Sequence, residues 1–156
     1  MPRMEPDQAR RRFTAARVAR LATVDEAGRP HLVPVVFAAA GEDALVTAVD
    51  RKPKRTTDLK RLRHIAAAPS VCLLVDAYDE DWERLWWVRA DATAAIVRPD
   101  APDAAVRERY AAAVARLCRK YPQYRADPPD GPVVAMDVHR WSGWQAAPPP
   151  DARPAG

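Results

Sequence analysis

Apolar and polar positions alternate in short runs along most of this chain, with turn residues between the runs. "VARLATV" (Val18–Val24) and "HLVPVVF" (His31–Phe37) read as strands on either side of "DEAGRP", a turn that holds Gly28 and Pro30. Pro34 has no backbone donor, so the second strand is expected at a sheet edge or a bulge. "AAAGED" reads as another turn and "ALVTAV" (Ala44–Val49) as a third strand, completing an antiparallel meander. "VCLLVDAY" (Val71–Tyr78) has the composition of a buried strand. In "LWWVRADATAAIV" (Leu85–Val97) Trp87, Arg89 and Asp91 alternate with Trp86, Val88 and Ala90, so the two sets face opposite sides. "VVAMDVHRWSGW" (133–144) is the last strand.

A period near 3.6 appears in three other places. "EPDQARRRFTAAR" (5–17) predicts a helix with Pro6 in its first turn and Asp7 at its positive end. "TTDLKRLRHIAAA" sets Leu59, Leu62, Ile65 and Ala66 in one stripe, and Pro69 stops it. "APDAAVRERYAAAVARLCRKY" is a strong helix former, with Asp103 placed to cap its start. The expected order is helix, three strands, helix, two strands, helix, strand. That order predicts a mainly β fold with flanking helices, a small closed or split antiparallel barrel. One domain spans 1–145, followed by a Pro-rich, disordered tail at 146–156.

Charge changes this picture at one place. The 156 residues carry a net charge of +4, yet residues 51–63 alone hold seven basic residues against Asp58. The rest of the chain has 18 basic and 20 acidic residues. Such local basicity argues for one anion site rather than for a coat on nucleic acid. No aromatic residue interleaves the cations, which further disfavours nucleic acid. The run falls where a strand gives way to a helix, whose first N–H groups point outward unpaired. Lys54, Arg55, Thr56 and Thr57 stand at that start. Cations crowded at the positive end of a helix oppose its dipole, and an anion held there resolves the conflict. A solvated helix face is the plainer alternative.

Other chemistry is excluded. There is no G-x-G-x-x-G or G-x-x-x-x-G-K, and only five glycines, so a Rossmann or P-loop site is not expected. Cys72 and Cys118 lack metal spacing and read as small hydrophobes in a reducing cytoplasm. His31, His64 and His139 share no metal spacing and read as surface or capping residues. Ser142 in "WSGW" lacks a nucleophile-elbow context. Asp79, Glu80, Asp81 and Glu83 read as a solvated turn. No apolar run approaches a membrane span, and the N-terminus has no secretory h-region. A cytoplasmic location without membrane contact is expected.

"ARLATVDEAGRPHLVPVVF", "LVTAVDRKPKRTT", "LRHIAAAPSVCLLVD" and "LWWVRADATA" together resemble the pyridoxamine 5′-phosphate oxidase-like split-barrel proteins. Within them the chain is most similar to the actinobacterial branch of coenzyme F420-dependent oxidoreductases, and its Ala-, Arg- and Pro-rich composition fits such a source. The likeness covers residues 15–144. It implies a homodimer of six-stranded split barrels, with two cofactors in grooves between the chains. It places the cofactor phosphate on Lys52, Lys54, Arg55, Thr56 and Thr57, with Arg61 as a substitute for Lys54. It lays the tricyclic ring against Val33, Pro34 and Val35, with Trp87 and Trp141 as candidates for the wall. Relatives often carry Gly at the position of Ala92, where alanine narrows the groove. The activity implied is hydride transfer from reduced F420 to an unsaturated or conjugated small-molecule acceptor. FMN in the same fold, and a carrier or sensor without turnover, are the alternatives. No side chain stands out as a catalytic acid or base, which suits a site where the cofactor carries the chemistry.

Overall fold

The computed structural model describes residues 2–49 and 56–147. Its strands are β1 (Ala19–Val24), β2 (Pro30–Val35), β3 (Ala38–Gly41), β4 (Ala44–Ala48), β5 (Ser70–Ala77), β6 (Trp86–Val97) and β7 (Val133–Gln145). They form one antiparallel sheet in the order β2-β1-β5-β6-β7-β4-β3. Outside it lie α1 (Pro6–Ala15), α2 (Thr56–Ala67), α3 (Ala104–Lys120) and α4 (Pro122–Ala126).

The expected meander is corrected here. "AAAG" is a strand, not a turn, so the described sheet has seven strands instead of six. The reason it escapes notice is chemical: alanine and glycine carry little β preference and no alternation. β4 pairs with β7, not with β2, so the first four strands are two hairpins at opposite edges of the sheet. Pro34 does lie on an edge strand, opposite Arg20 of β1. Asp103 caps α3 as expected, accepting from the Ala105 N–H at 2.8 Å. In α2, Leu62 and Ile65 are buried, whereas Ala66 is exposed. The expected disordered tail falls largely on 148–156, outside the described residues.

Only Val36 and Phe37 separate β2 from β3, although these strands are the two edges of the sheet. Three Cα steps reach about 11 Å. The sheet must therefore roll until its edges nearly meet, and the seam is bridged by chain rather than by a hydrogen-bonded ladder. Side chains hold the bridge. The Thr47 hydroxyl donates to the Val36 carbonyl at 2.7 Å. The Tyr121 hydroxyl accepts from the Phe37 N–H at 3.1 Å and faces the carbonyls of Phe37 (2.8 Å) and Arg17 (2.9 Å). Lys120 Nζ donates to Ala16 O at 2.7 Å and lies 3.9 Å from the centre of the Phe37 ring. Burial pushes the pKa of Lys120 down to about 8, and the Arg17 charge adds to the effect.

The barrel interior is filled by Phe13, Leu21, Phe37, Leu45, Leu73, Val88 and Met136. A second core under α3 contains Val46, Val97, Leu117 and Val133. The N-terminal residues complete the sheet locally. β4 covers β7 only as far as Asp137. Beyond that, Arg3 bridges to Trp144 and the Met4 N–H donates to Gly143 O at 3.0 Å. Gly143 makes this approach possible: a Cβ there would lie 2.9 Å from Met4 Sδ and 3.2 Å from Ala9 Cβ.

Candidate functional site

The alternation in β6 and β7 builds one side of the site. On the outer face Trp87, Arg89 and Asp91 of β6 stand opposite Trp144, Ser142 and Arg140 of β7. The other face carries Val88 and Ala90 into the core. Trp87 is 37% exposed. Together with Arg3, His139 and Trp141, residues of this patch line a cleft of about 710 Å³. A second hollow of about 420 Å³, bordered by Leu74 and Tyr78, shares Trp87, Arg89 and Trp144 with it. Arg89 Nε sits 3.3 Å from Asp91 Oδ1. The Ser142 hydroxyl oxygen is buried and meets no hydrogen-bond partner among the described residues. His139 is the extra residue of a bulge, since the register shifts between Asp91 and Ala92, and its ring meets the Thr93 hydroxyl.

Trp87 and Trp141 thus come together at one cleft, but differently. Trp141 is an anchor: its ring packs on Phe13 at 5.4 Å and its Nε1 donates to Asp43 at 2.8 Å. Val35 is buried and Val33 packs against the core, while Pro34 is exposed. Lys52, Lys54 and Arg55 lie outside the described residues. Thr56 and Thr57 open α2, and Arg61, one turn on, is half-buried and engaged.

α2 presents a different set of side chains to a third cleft, of about 690 Å³. Lys60, Arg63 and His64 face it from the helix, and Asp25, Arg29 and His31 from the β1–β2 hairpin. Gly28, at φ +78°, lets the hairpin turn. Asp25 accepts from the N–H groups of Ala27 and Arg29, each at 2.9 Å, and from Arg29 Nε at 2.8 Å. The Arg29 N–H, followed by its guanidinium, holds the Asp25 carboxyl well below the usual carboxylate range. The rings of His31 and His64 stack with centres 4.3 Å apart, and Thr23 Oγ1 lies 3.3 Å from His64 Nδ1. The sequence alone reads these histidines as surface or capping residues, because nothing local couples positions 31 and 64. Among the described residues no group of three His, Cys, Asp or Glu fits a metal ion. Cys72 and Cys118 are unpaired thiols, and burial, then Asp91, pushes the Cys72 pKa up, which makes it a poor nucleophile.

Burial, then the His31 charge, lowers the pKa of His64 below its ordinary 6.5; Lys60 and Arg63 act the same way and Asp25 opposes them. The unfolded chain therefore binds more protons between the folded value and 6.5, and stability falls as pH drops through that window. His64→Asn should flatten the acid-side fall in melting temperature measured between about pH 7 and about pH 5. An unchanged slope would show that this ring does not carry the effect.

The pyridoxamine 5′-phosphate oxidase profile matches residues 6–145, nearly all of the barrel just described. The chain belongs to the pyridoxamine 5′-phosphate oxidase family. No curated protein sequence matches it. An FAD-binding protein of Mesorhizobium loti superposes with a TM-score of 0.66 at 18% identity, over 91% of this chain and 93% of that one. The FAD-binding protein of Mycobacterium smegmatis gives 0.59 at 17% identity, over 92% and 95%. The heme storage protein of Vibrio cholerae gives 0.64 at 16% identity, over 91% and 95%. At these identities the likeness fixes the fold: the split barrel of the pyridoxamine 5′-phosphate oxidase family, here an open seven-stranded sheet. No described helix is long and apolar enough to cross a membrane.

Proposed function

We propose that this pyridoxamine 5′-phosphate oxidase family member is an F420-dependent oxidoreductase acting in the cytoplasm on a conjugated small molecule. The observation that carries the reading is the run of Lys60, Arg63 and His64 along the α2 face that opens on the 690 Å³ cleft. It begins one turn past Thr56 and Thr57, where this reading puts the phosphate. A single phosphate, as in FMN, uses only the helix start. A cofactor that continues into an acidic tail also uses Lys60 and Arg63, so these residues fit the longer anion better. When bound, reduced F420 supplies the hydride. The residues of the chain bind, orient and exclude water: Lys52, Lys54, Arg55, Thr56, Thr57 and Arg61 toward the phosphate, the β2 backbone at Val33, Pro34 and Val35 toward the ring, and Trp87 and Trp141 as its wall.

A homodimer belongs to this reading. Pro34, Arg20, Leu74, Arg89 and Ser142 form one cross-strand row from β2 to β7. Three strand spacings separate β2 from β6, which carries Trp87, about 14 Å along the sheet. On this reading the ring that lies along β2 meets the Trp87 wall of a partner chain rather than that of its own. The same outer face exposes Leu32 (67%), Val18 (38%) and Leu74 (37%), apolar area that a second copy would cover. Light scattering at micromolar concentration should give twice the mass of the chain; a monomer in the presence of cofactor contradicts the shared groove.

Fluorescence titration with F420 and FMN tests the cofactor. F420 should bind more tightly, and raising salt from about 50 to about 500 mM should weaken F420 more than FMN. Tighter FMN binding, or equal salt losses, would make the cations of α2 a solvated face and leave FMN as the cofactor.

A further inference from the structure

The 710 Å³ cleft has a chemistry separate from that of α2. Its volume falls in the range of small-molecule sites, roughly 300–1,000 Å³. Arg3, Arg89 and Arg140 line it, and among the described residues no carboxylate does. Asp91, 3.3 Å from Arg89, offsets one of these charges and leaves an excess of two cations. Trp87 and Trp144, opposite partners in the ladder, line the same cleft. Ser142 stands directly opposite Arg89 in the ladder, its hydroxyl oxygen shielded from the cleft. Guanidinium groups select a carboxylate because their N–H groups match its two oxygens in one plane. Indole walls select a flat, conjugated body.

We propose that this cleft binds a planar, conjugated carboxylic acid, with its carboxylate on Arg89 and Arg140 and its body against the indoles of Trp87 and Trp144. As the acceptor of the reaction proposed above, this ligand rests on that reading; its binding to the cofactor-free chain does not. Arg3 and Trp144 enter from two chain segments that meet beside Gly143, so the binding surface is set by the fold rather than by a mobile loop.

The test is calorimetric titration of the cofactor-free protein with trans-cinnamate and with cinnamamide, together with NMR of the indole N–H groups. Cinnamate should bind and shift the indole signals of Trp87 and Trp144, and the neutral amide should bind at least about tenfold more weakly. Arg89→Gln and Arg140→Gln should each weaken cinnamate about tenfold, whereas Lys60→Ala, on the α2 cleft, should not. Arg140 is exposed, so its variant decides the matter if Arg89→Gln does not fold. Equal binding of acid and amide, no binding of cinnamate, or indifference to Arg140→Gln would overturn the proposal. Cinnamate binding with no F420 binding would sink the cofactor reading alone; F420 binding without cinnamate binding would sink this one alone.

Discussion

Phe37→Ala should lower the unfolding free energy by about 3–5 kcal/mol, the usual loss when a buried aromatic ring is truncated. The Phe37 ring is fully buried and meets Phe13 at 5.1 Å on one side and the Lys120 ammonium on the other. Its position makes the loss hard to absorb. Phe37 is one of the two residues that close the barrel seam, and its N–H and carbonyl are held by the Tyr121 hydroxyl. A cavity beneath the link cannot collapse without moving β2 relative to β3. Urea denaturation followed by circular dichroism would measure it, with Phe37→Leu as the milder control. A loss under about 1 kcal/mol, no larger than for an average substitution, would mean that the seam holds without this ring.

Replacing Lys54 and Arg55 together with alanine should weaken cofactor binding at least tenfold, about 1.4 kcal/mol or more. Each charge-assisted bond to a phosphate contributes roughly 1.5–3 kcal/mol, so two lost contacts allow a far larger drop. Long-range attraction from Lys60 and Arg63 would remain and limit the loss at low salt. The deficit should therefore widen as salt rises. Titration of the double variant and of the unchanged protein under the same conditions reads both effects. An unchanged affinity would remove the phosphate from the start of α2.

The barrel and most of its strands were legible because the alternation was strong where bulky residues faced a core. "LWWVRAD" assigned Trp87, Arg89 and Asp91 to one side, and the ladder keeps that assignment. Pro34 announced an edge because a missing donor is a local property. "AAAG" was silent because three alanines and a glycine favour no face. The pairing of β4 with β7 was invisible for another reason. It joins Leu45 to Met136, and nothing in either segment names its partner. The site divided along the same line. The anion-site reading of the basic run rests on its own composition, whereas the His31–His64 ring pair and the cleft shared by Arg3, Arg89 and Arg140 arise only when distant segments meet.

The prolines of β2 have one more effect. Alternate residues of a strand aim their backbone groups at the same side, so positions 30, 32 and 34 share a side. Prolines at 30 and 34 leave only Leu32 with a donor there. A strand from another molecule arriving at this rim finds acceptors but almost nothing to receive from. The rim is thus a poor template for sheet growth, although Leu32 beside it is exposed and apolar. Substituting Pro30 and Pro34 by valine would restore a full row of donors next to that leucine, turning a quiet border into a seed for fibrous aggregates.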